Sequence, residues 1–140
     1  MIKRIVADTG SIVSMLKNNE DHHDWAFSSF ETLPKPFLTC EPVITEACFL
    51  MHPSHNGERD VLLMIENGIV EIDFSTSDEI EALISLMRKY DDVPMSLADA
   101  CLVRMSEIYA ESAILTLDTD FLIYRKHRNR SIPLIMPDGI

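Results

Sequence analysis

The chain is short of cysteine, of glycine, of basic residues and of long apolar runs, and each shortage removes a class of protein. Its three cysteines, Cys40, Cys48 and Cys101, form an odd set with no CxxC spacing, which excludes a disulfide framework and a structural zinc site. They read as small buried hydrophobes. No apolar run approaches the ~20 residues of a membrane span, and the short one after Met1-Ile2-Lys3-Arg4 is broken by Asp8, so no secretory leader is expected. The expectation is a soluble, cytoplasmic protein with no membrane partner. His22-His23-Asp24 and His52-Pro53-Ser54-His55 lack HExxH spacing and receive no role. Internal repeats and low-complexity segments are also missing. Basic residues number 12 against 23 acidic ones, a formal net charge of -11, and that balance speaks against a nucleic-acid partner unless the cations are concentrated. Concentrated they are: Arg125, Lys126, Arg128 and Arg130 fall within six positions, with His127 among them. Two readings stand side by side, a basic edge of the domain and a solvated helix end where cations favour the dipole.

What remains is ordinary globular composition, 46% apolar and 25% charged over 140 residues, which suits one domain spanning 1–140. Short apolar runs at Lys3 to Ala7, Phe37 to Thr39, Ile69 to Asp73, Ala113 to Leu117 and Ile132 to Ile135 read as strands. Helical periodicity fits Ser11 to Lys17, Asp21 to Leu33, Glu41 to Met51, Glu58 to Asn67, Ser77 to Tyr90 and Ser96 to Glu107. Ser77, Asp78 and Glu79 would put negative charge into a first turn, and Pro42 stands where a missing N–H costs little. The alternation predicts an α/β fold, a mostly parallel sheet of about five strands with helices on both faces. The phenylalanines and Trp25 show no spacing of a base-stacking platform and read as core.

Four acids punctuate this pattern. Asp8 follows Ile5-Val6-Ala7, Glu46 lies inside Pro42 to Leu50, Asp99 inside Ser96 to Met105, and Asp118 follows Ala113 to Leu117. A carboxylate at such a half-buried position costs free energy unless its charge is offset, and a divalent cation shared by all four would offset it. Asp8 and Asp118 would both leave the carboxyl edge of the sheet, where open α/β folds bind ligands. Simpler roles compete. Asp8 is a natural helix cap, Ser96 with Asp99 is nearly a capping box, Glu46 could pair with a neighbouring base, and Asp120 could cap a short turn from Phe121 to Tyr124. Asp8-Thr9-Gly10-Ser11 is also the signature of aspartic proteases, whose folds are almost all β; several amphipathic helices and only four glycines argue against that reading.

Taken together, Asp8-Thr9-Gly10-Ser11, Thr45-Glu46-Ala47, Leu97-Ala98-Asp99-Ala100 and Thr116-Leu117-Asp118-Thr119-Asp120-Phe121 resemble, in order and approximate spacing, the PIN-domain ribonucleases, including the VapC-like toxins of type II toxin-antitoxin modules. The resemblance covers the whole chain. It implies a PIN-like three-layer α/β/α sandwich and hydrolysis of RNA phosphodiesters with Mg2+ or Mn2+, leaving a 5′-phosphate and a 3′-hydroxyl. On the same ground Asp8, Glu46, Asp99 and Asp118 would be both catalytic residues and metal ligands, Thr9 would position the scissile phosphate, and Asp120 would stand behind the ligands. A homodimer and a small inhibitory antitoxin protein are the implied partners beside the RNA substrate. A PIN-like module that binds RNA or protein without cutting is the alternative.

Overall fold

The computed structural model describes residues 1–140. Five parallel strands form its sheet: β1 (Arg4–Ala7), β2 (Phe37–Thr39), β3 (Val70–Ile72), β4 (Ser112–Leu115) and β7 (Leu134–Ile135), in the order β3-β2-β1-β4-β7. All of β2 and β4 and most of β1 are buried, as expected of strands covered on both faces. Six helices flank the sheet: α1 (Thr9–Leu16), α2 (His23–Thr32), α3 (Glu41–Met51), α4 (Gly57–Glu66), α5 (Ile80–Lys89) and α6 (Leu97–Ile108). α1 packs on α2 and α3, α3 on α4, and α5 on α6. The chain runs outward from β1 to β3 through the first four helices and crosses back to β4 through the last two. Right-handed crossovers in opposite directions put these two sets on opposite faces, which gives the three-layer arrangement.

Local chemistry sets most boundaries. Pro42 occupies the first turn of α3, where no N–H is needed. Ser96 caps α6 by accepting from the Asp99 N–H at 3.1 Å, and Asp99 Oδ2 accepts in return from the Ser96 N–H at 3.4 Å, so the capping box forms in full. α5 begins at Ile80 rather than at Ser77. Ser77 and Asp78 stay in a turn in which the Asp78 N–H donates to Ser75 Oγ at 3.3 Å, and Glu79 is held by Arg104 Nε at 2.5 Å. The link from α3 to α4 is tight: a Cβ added at Gly57 would lie 1.9 Å from the Met51 carbonyl oxygen, so only glycine fits there.

The basic segment is not a helix end. Arg125–Lys126 (β5) and Arg130–Ser131 (β6) form an antiparallel ribbon. Arg125 and Lys126 are half-buried and donate to the Leu122 and Ser106 carbonyls, while Arg128 and Arg130 are exposed. Nor are the aromatics uniformly core: Phe30, Phe37 and Phe121 are buried, but Phe49 is 76% exposed and Phe27 44%. Cys40 and Cys101 are buried and Cys48 half-buried, all as free thiols. No helix is long and apolar enough to cross a membrane.

Candidate active site

β1 and β4 are neighbours in register, with Ala7 opposite Leu115, so the residues that follow them emerge side by side at the carboxyl edge. The strand order changes direction here, since β1 leads away to β2 on one side while β4 lies on the other. A crevice opens at that point, as open parallel sheets dictate. It is a cleft of about 430 Å³ whose lining includes Asp8, Thr9, Glu46, Asp99, Asp118 and Asp120. Sequence positions from 8 to 120 thus converge on one surface, and neither lysine nor arginine lines it.

Each acid is brought there by a different device. Asp8 caps α1, its Oδ1 accepting from the Thr9 N–H at 2.7 Å, and its Oδ2 accepts from the Thr116 hydroxyl at 2.7 Å. Asp99 sits in the capping box of α6, and its Oδ2 also accepts from the Tyr124 hydroxyl at 3.0 Å. Asp118 follows β4; its N–H donates to Thr116 Oγ1 at 2.9 Å, and its Oδ1 accepts from the Asp120 N–H at 2.9 Å. Here the cap of the short 3-10 turn Thr119–Leu122 is Asp118, not Asp120, because the turn begins one residue after the strand-end acid. Glu46 projects from α3 and is exposed rather than half-buried, since α3 turns its 43, 44, 47 and 51 positions to the core.

Capping and cleft lining are therefore the same placement for Asp8 and Asp99. A carboxylate that accepts at the start of a helix keeps its remaining oxygen lone pairs for the crevice the helix points into. The Asp-Thr-Gly-Ser run opens a helix in a parallel α/β fold, which is not the all-β setting of the protease dyad.

The electrostatics register how close the acids are. Burial raises the Asp8 carboxyl from 3.8 to about 6; the Thr116 and Thr9 hydrogen bonds offset part of that, and the charges of Asp99 and Asp118 add to it. Burial likewise pushes Asp99 up, opposed by Tyr124 and Ser96 and reinforced by Asp118. Tyr124 is driven well above its usual range by burial and by Asp99 beside it. These are mutually repelling carboxylates in a poorly solvated place, the setting that functional sites create.

Whether the residues suit a divalent ion turns on donor chemistry. The cleft offers only oxygen donors, five of them carboxylates, which match a hard cation such as Mg2+ or Mn2+. Asp8, Asp99 and Asp118 are held by their own hydrogen bonds and not on one centre, for no three His, Cys, Asp or Glu side chains are arranged as a finished cage. The Thr9 hydroxyl is buried without any hydrogen-bond partner, a cost of about 1–3 kcal/mol that something in the cleft would relieve. The donor set fits the ion, with side-chain rotation needed to close around it.

No protein-family model and no curated sequence matches the chain. Solved structures do. Mycobacterium tuberculosis VapC20, described as a sarcin-ricin loop cleaving toxin, superposes with a TM-score of 0.75 over 83% of this chain and 91% of its own, at 18% identity. The chain has a PIN-like fold. At that identity the backbone is what the two share, and the PIN-like architecture agrees with the layers and strand number expected from the sequence. Three residues that bond to the cleft acids escaped the sequence reading as site residues: Thr116, Tyr124 and Ser96. Thr116 meets Asp118 locally, but its bond to Asp8 and that of Tyr124 to Asp99 are tertiary contacts, 108 and 25 positions apart, which no local pattern announces.

Proposed function

We propose that the chain is a metal-dependent endoribonuclease that hydrolyses RNA phosphodiester bonds, acting as the toxin of a VapBC-type module. The observation that carries this reading is the convergence of Asp8, Glu46, Asp99, Asp118 and Asp120 on one cation-free cleft at the carboxyl ends of β1 and β4. A polyanionic substrate would be repelled from five carboxylates unless a divalent cation joined them, so the charge of the cleft and the class of cofactor support each other. The likeness to VapC20 adds the fold of a protein described as a sarcin-ricin loop cleaving toxin.

Asp8, Asp99 and Asp118 would hold Mg2+ or Mn2+, with Glu46 completing the set or orienting water. Such an ion, when bound, lowers the pKa of water and neutralises charge growing on the phosphoryl oxygens. The chain's own residues do the positioning. Thr116 and Thr9 fix both oxygens of Asp8, Tyr124 and Ser96 fix Asp99, and the buried, unpartnered Thr9 hydroxyl would donate to a scissile phosphate once its side chain turned to the cleft. Asp120, which lines the cleft, donates its backbone N–H to Asp118 Oδ1 and would act by supporting that ligand. A homodimer, a small antitoxin and a cytoplasmic location belong to the same proposal.

The decisive experiment is RNA cleavage with Mg2+ or Mn2+ by the intact chain and by Asp8→Asn and Asp99→Asn, with folding followed by circular dichroism. Both variants should stay folded and lose cleavage, leaving products with 5′-phosphate ends in the parent reaction only. Retained cleavage in both variants would overturn the reading.

A further inference from the structure

We infer that the ribbon β5–β6 is the surface that grips the sugar-phosphate backbone of the RNA beside the acid cleft. This rests on the nuclease reading above. In a chain of net charge -11, ion pairs use Lys3, Lys17, His52 and Arg104. None of Arg125, Lys126, Arg128, Arg130 or the adjoining Lys89 is paired with a carboxylate. Arg4, Lys35, Arg59 and Arg88 also lack a carboxylate partner, but only the ribbon gathers four such cations within six positions, and those of them not bonded to carbonyl groups are available to an outside anion.

The ribbon divides its cations between fastening and display. Arg125 Nη1 donates to the Leu122 carbonyl at 2.8 Å and Lys126 Nζ to the Ser106 carbonyl at 3.2 Å. The Arg125 N–H donates to Tyr90 Oη and the His127 N–H to Glu107 Oε2, both at 2.8 Å, while Lys89 Nζ donates to the Arg128 carbonyl. Arg128 and Arg130, by contrast, are exposed. At the tip, His127 and Arg128 both have positive φ, 47° and 75°, a conformation that glycine or asparagine ordinarily takes. Two side-chain-bearing residues stand there in succession, one of them arginine, and the contacts just named hold the turn in place.

The ribbon starts at the cleft and runs along α6, with Lys126 and His127 fastened to Ser106 and Glu107 in the last turn of the helix whose first turn holds Asp99, about 12 Å along its axis. Tyr124, whose hydroxyl holds Asp99, directly precedes Arg125, and the Thr119–Leu122 turn capped by Asp118 leads into it. A strand whose scissile phosphate lies at the carboxylates would meet the ribbon with flanking phosphates, where cations bind without regard to sequence.

The test is fluorescence anisotropy of a labelled single-stranded oligoribonucleotide, with Ca2+ in the buffer, titrated with the full chain across a salt series. Arg128→Ala combined with Arg130→Ala should weaken binding about 10- to 30-fold at ~0.1 M salt and make the log–log salt slope shallower by about 1.4, the share of two phosphate contacts on a single strand. The charge-preserving Arg128→Lys with Arg130→Lys should keep most of the affinity. Lys3→Ala with Lys35→Ala, at the amino edge of the sheet, should change it by less than about twofold. Parental affinity and slope in the double alanine variant, with melting temperature unchanged, would overturn the ribbon's role while leaving the nuclease reading intact, and so would an equal loss in the amino-edge variant. Neither binding nor cleavage of RNA by the unaltered chain would overturn both. Tighter binding of poly-L-glutamate than of RNA would make the ribbon a dock for an acidic protein and overturn the proposal.

Discussion

Thr116 Oγ1 donates to Asp8 Oδ2 at 2.7 Å and at the same time accepts from the Asp118 N–H at 2.9 Å. One hydroxyl at the end of β4 thereby ties together the two strand-end acids of the cleft. Everything proposed for the site depends on that alignment of β1 with β4.

Thr116→Val keeps the shape of the side chain and removes both bonds. A hydrogen bond to a buried carboxylate is worth about 1.5–3 kcal/mol, so urea unfolding at about pH 7.5 should show a loss of that size. At about pH 5, below the Asp8 value of about 6, the carboxyl is protonated and the loss should shrink. An equal loss at both pH values would mean that Thr116 serves packing only.

Asp8 itself makes stability depend on pH. The folded chain holds the Asp8 proton to about pH 6, the unfolded chain only to the ordinary 3.8. Between those values the folded state binds more protons, so this group's contribution to stability is present at low pH and is lost as pH rises through the window, by about 3 kcal/mol in all. Asp8→Asn does not titrate. In EDTA, its stability relative to the parent should therefore improve as pH is raised from about 4 to about 7.5; a constant difference would show that Asp8 is not destabilised by its charge.

Tyr124→Phe separates orientation from packing. The ring keeps its edge contacts with Phe121 and Tyr90, at centroid distances of 5.3 and 5.1 Å, while Asp99 loses a donor. Stability should fall by about 1–2 kcal/mol, and the acidic limb of the cleavage pH profile should move to higher pH, because Asp99 loses a bond that favours its charged form. An unmoved profile would leave Tyr124 without a part in the site.

Gly57→Ala should destabilise by about 1–3 kcal/mol or more, since its Cβ would fall 1.9 Å from a backbone oxygen that no side-chain movement can clear. A melting temperature equal to the parent's would contradict the tight α3–α4 link.

The elements were legible in the sequence because buried parallel strands such as Ser112–Leu115 are short unbroken apolar runs, and helices such as α6 announce their caps. The acids were legible for a related reason: carboxylates stand out inside apolar surroundings. The ribbon was not, because strands of two residues carry no period and its shape is set by Tyr90, Ser106 and Glu107 from other elements. The exposure of Glu46 and Phe49 was hidden too, since α3 is apolar over so much of its circumference that composition alone does not say which stripe the core takes. Thr116 and Tyr124 act through contacts that exist only once the chain has folded.

The central claim is that these separated carboxylates act on one shared divalent cation. Manganese titration followed by electron paramagnetic resonance tests it without reference to RNA. The account predicts Mn2+ uptake by the parent chain and marked weakening in each of Asp8→Asn, Asp99→Asn and Asp118→Asn; no uptake by the parent, or uptake unchanged in all three variants, would contradict it.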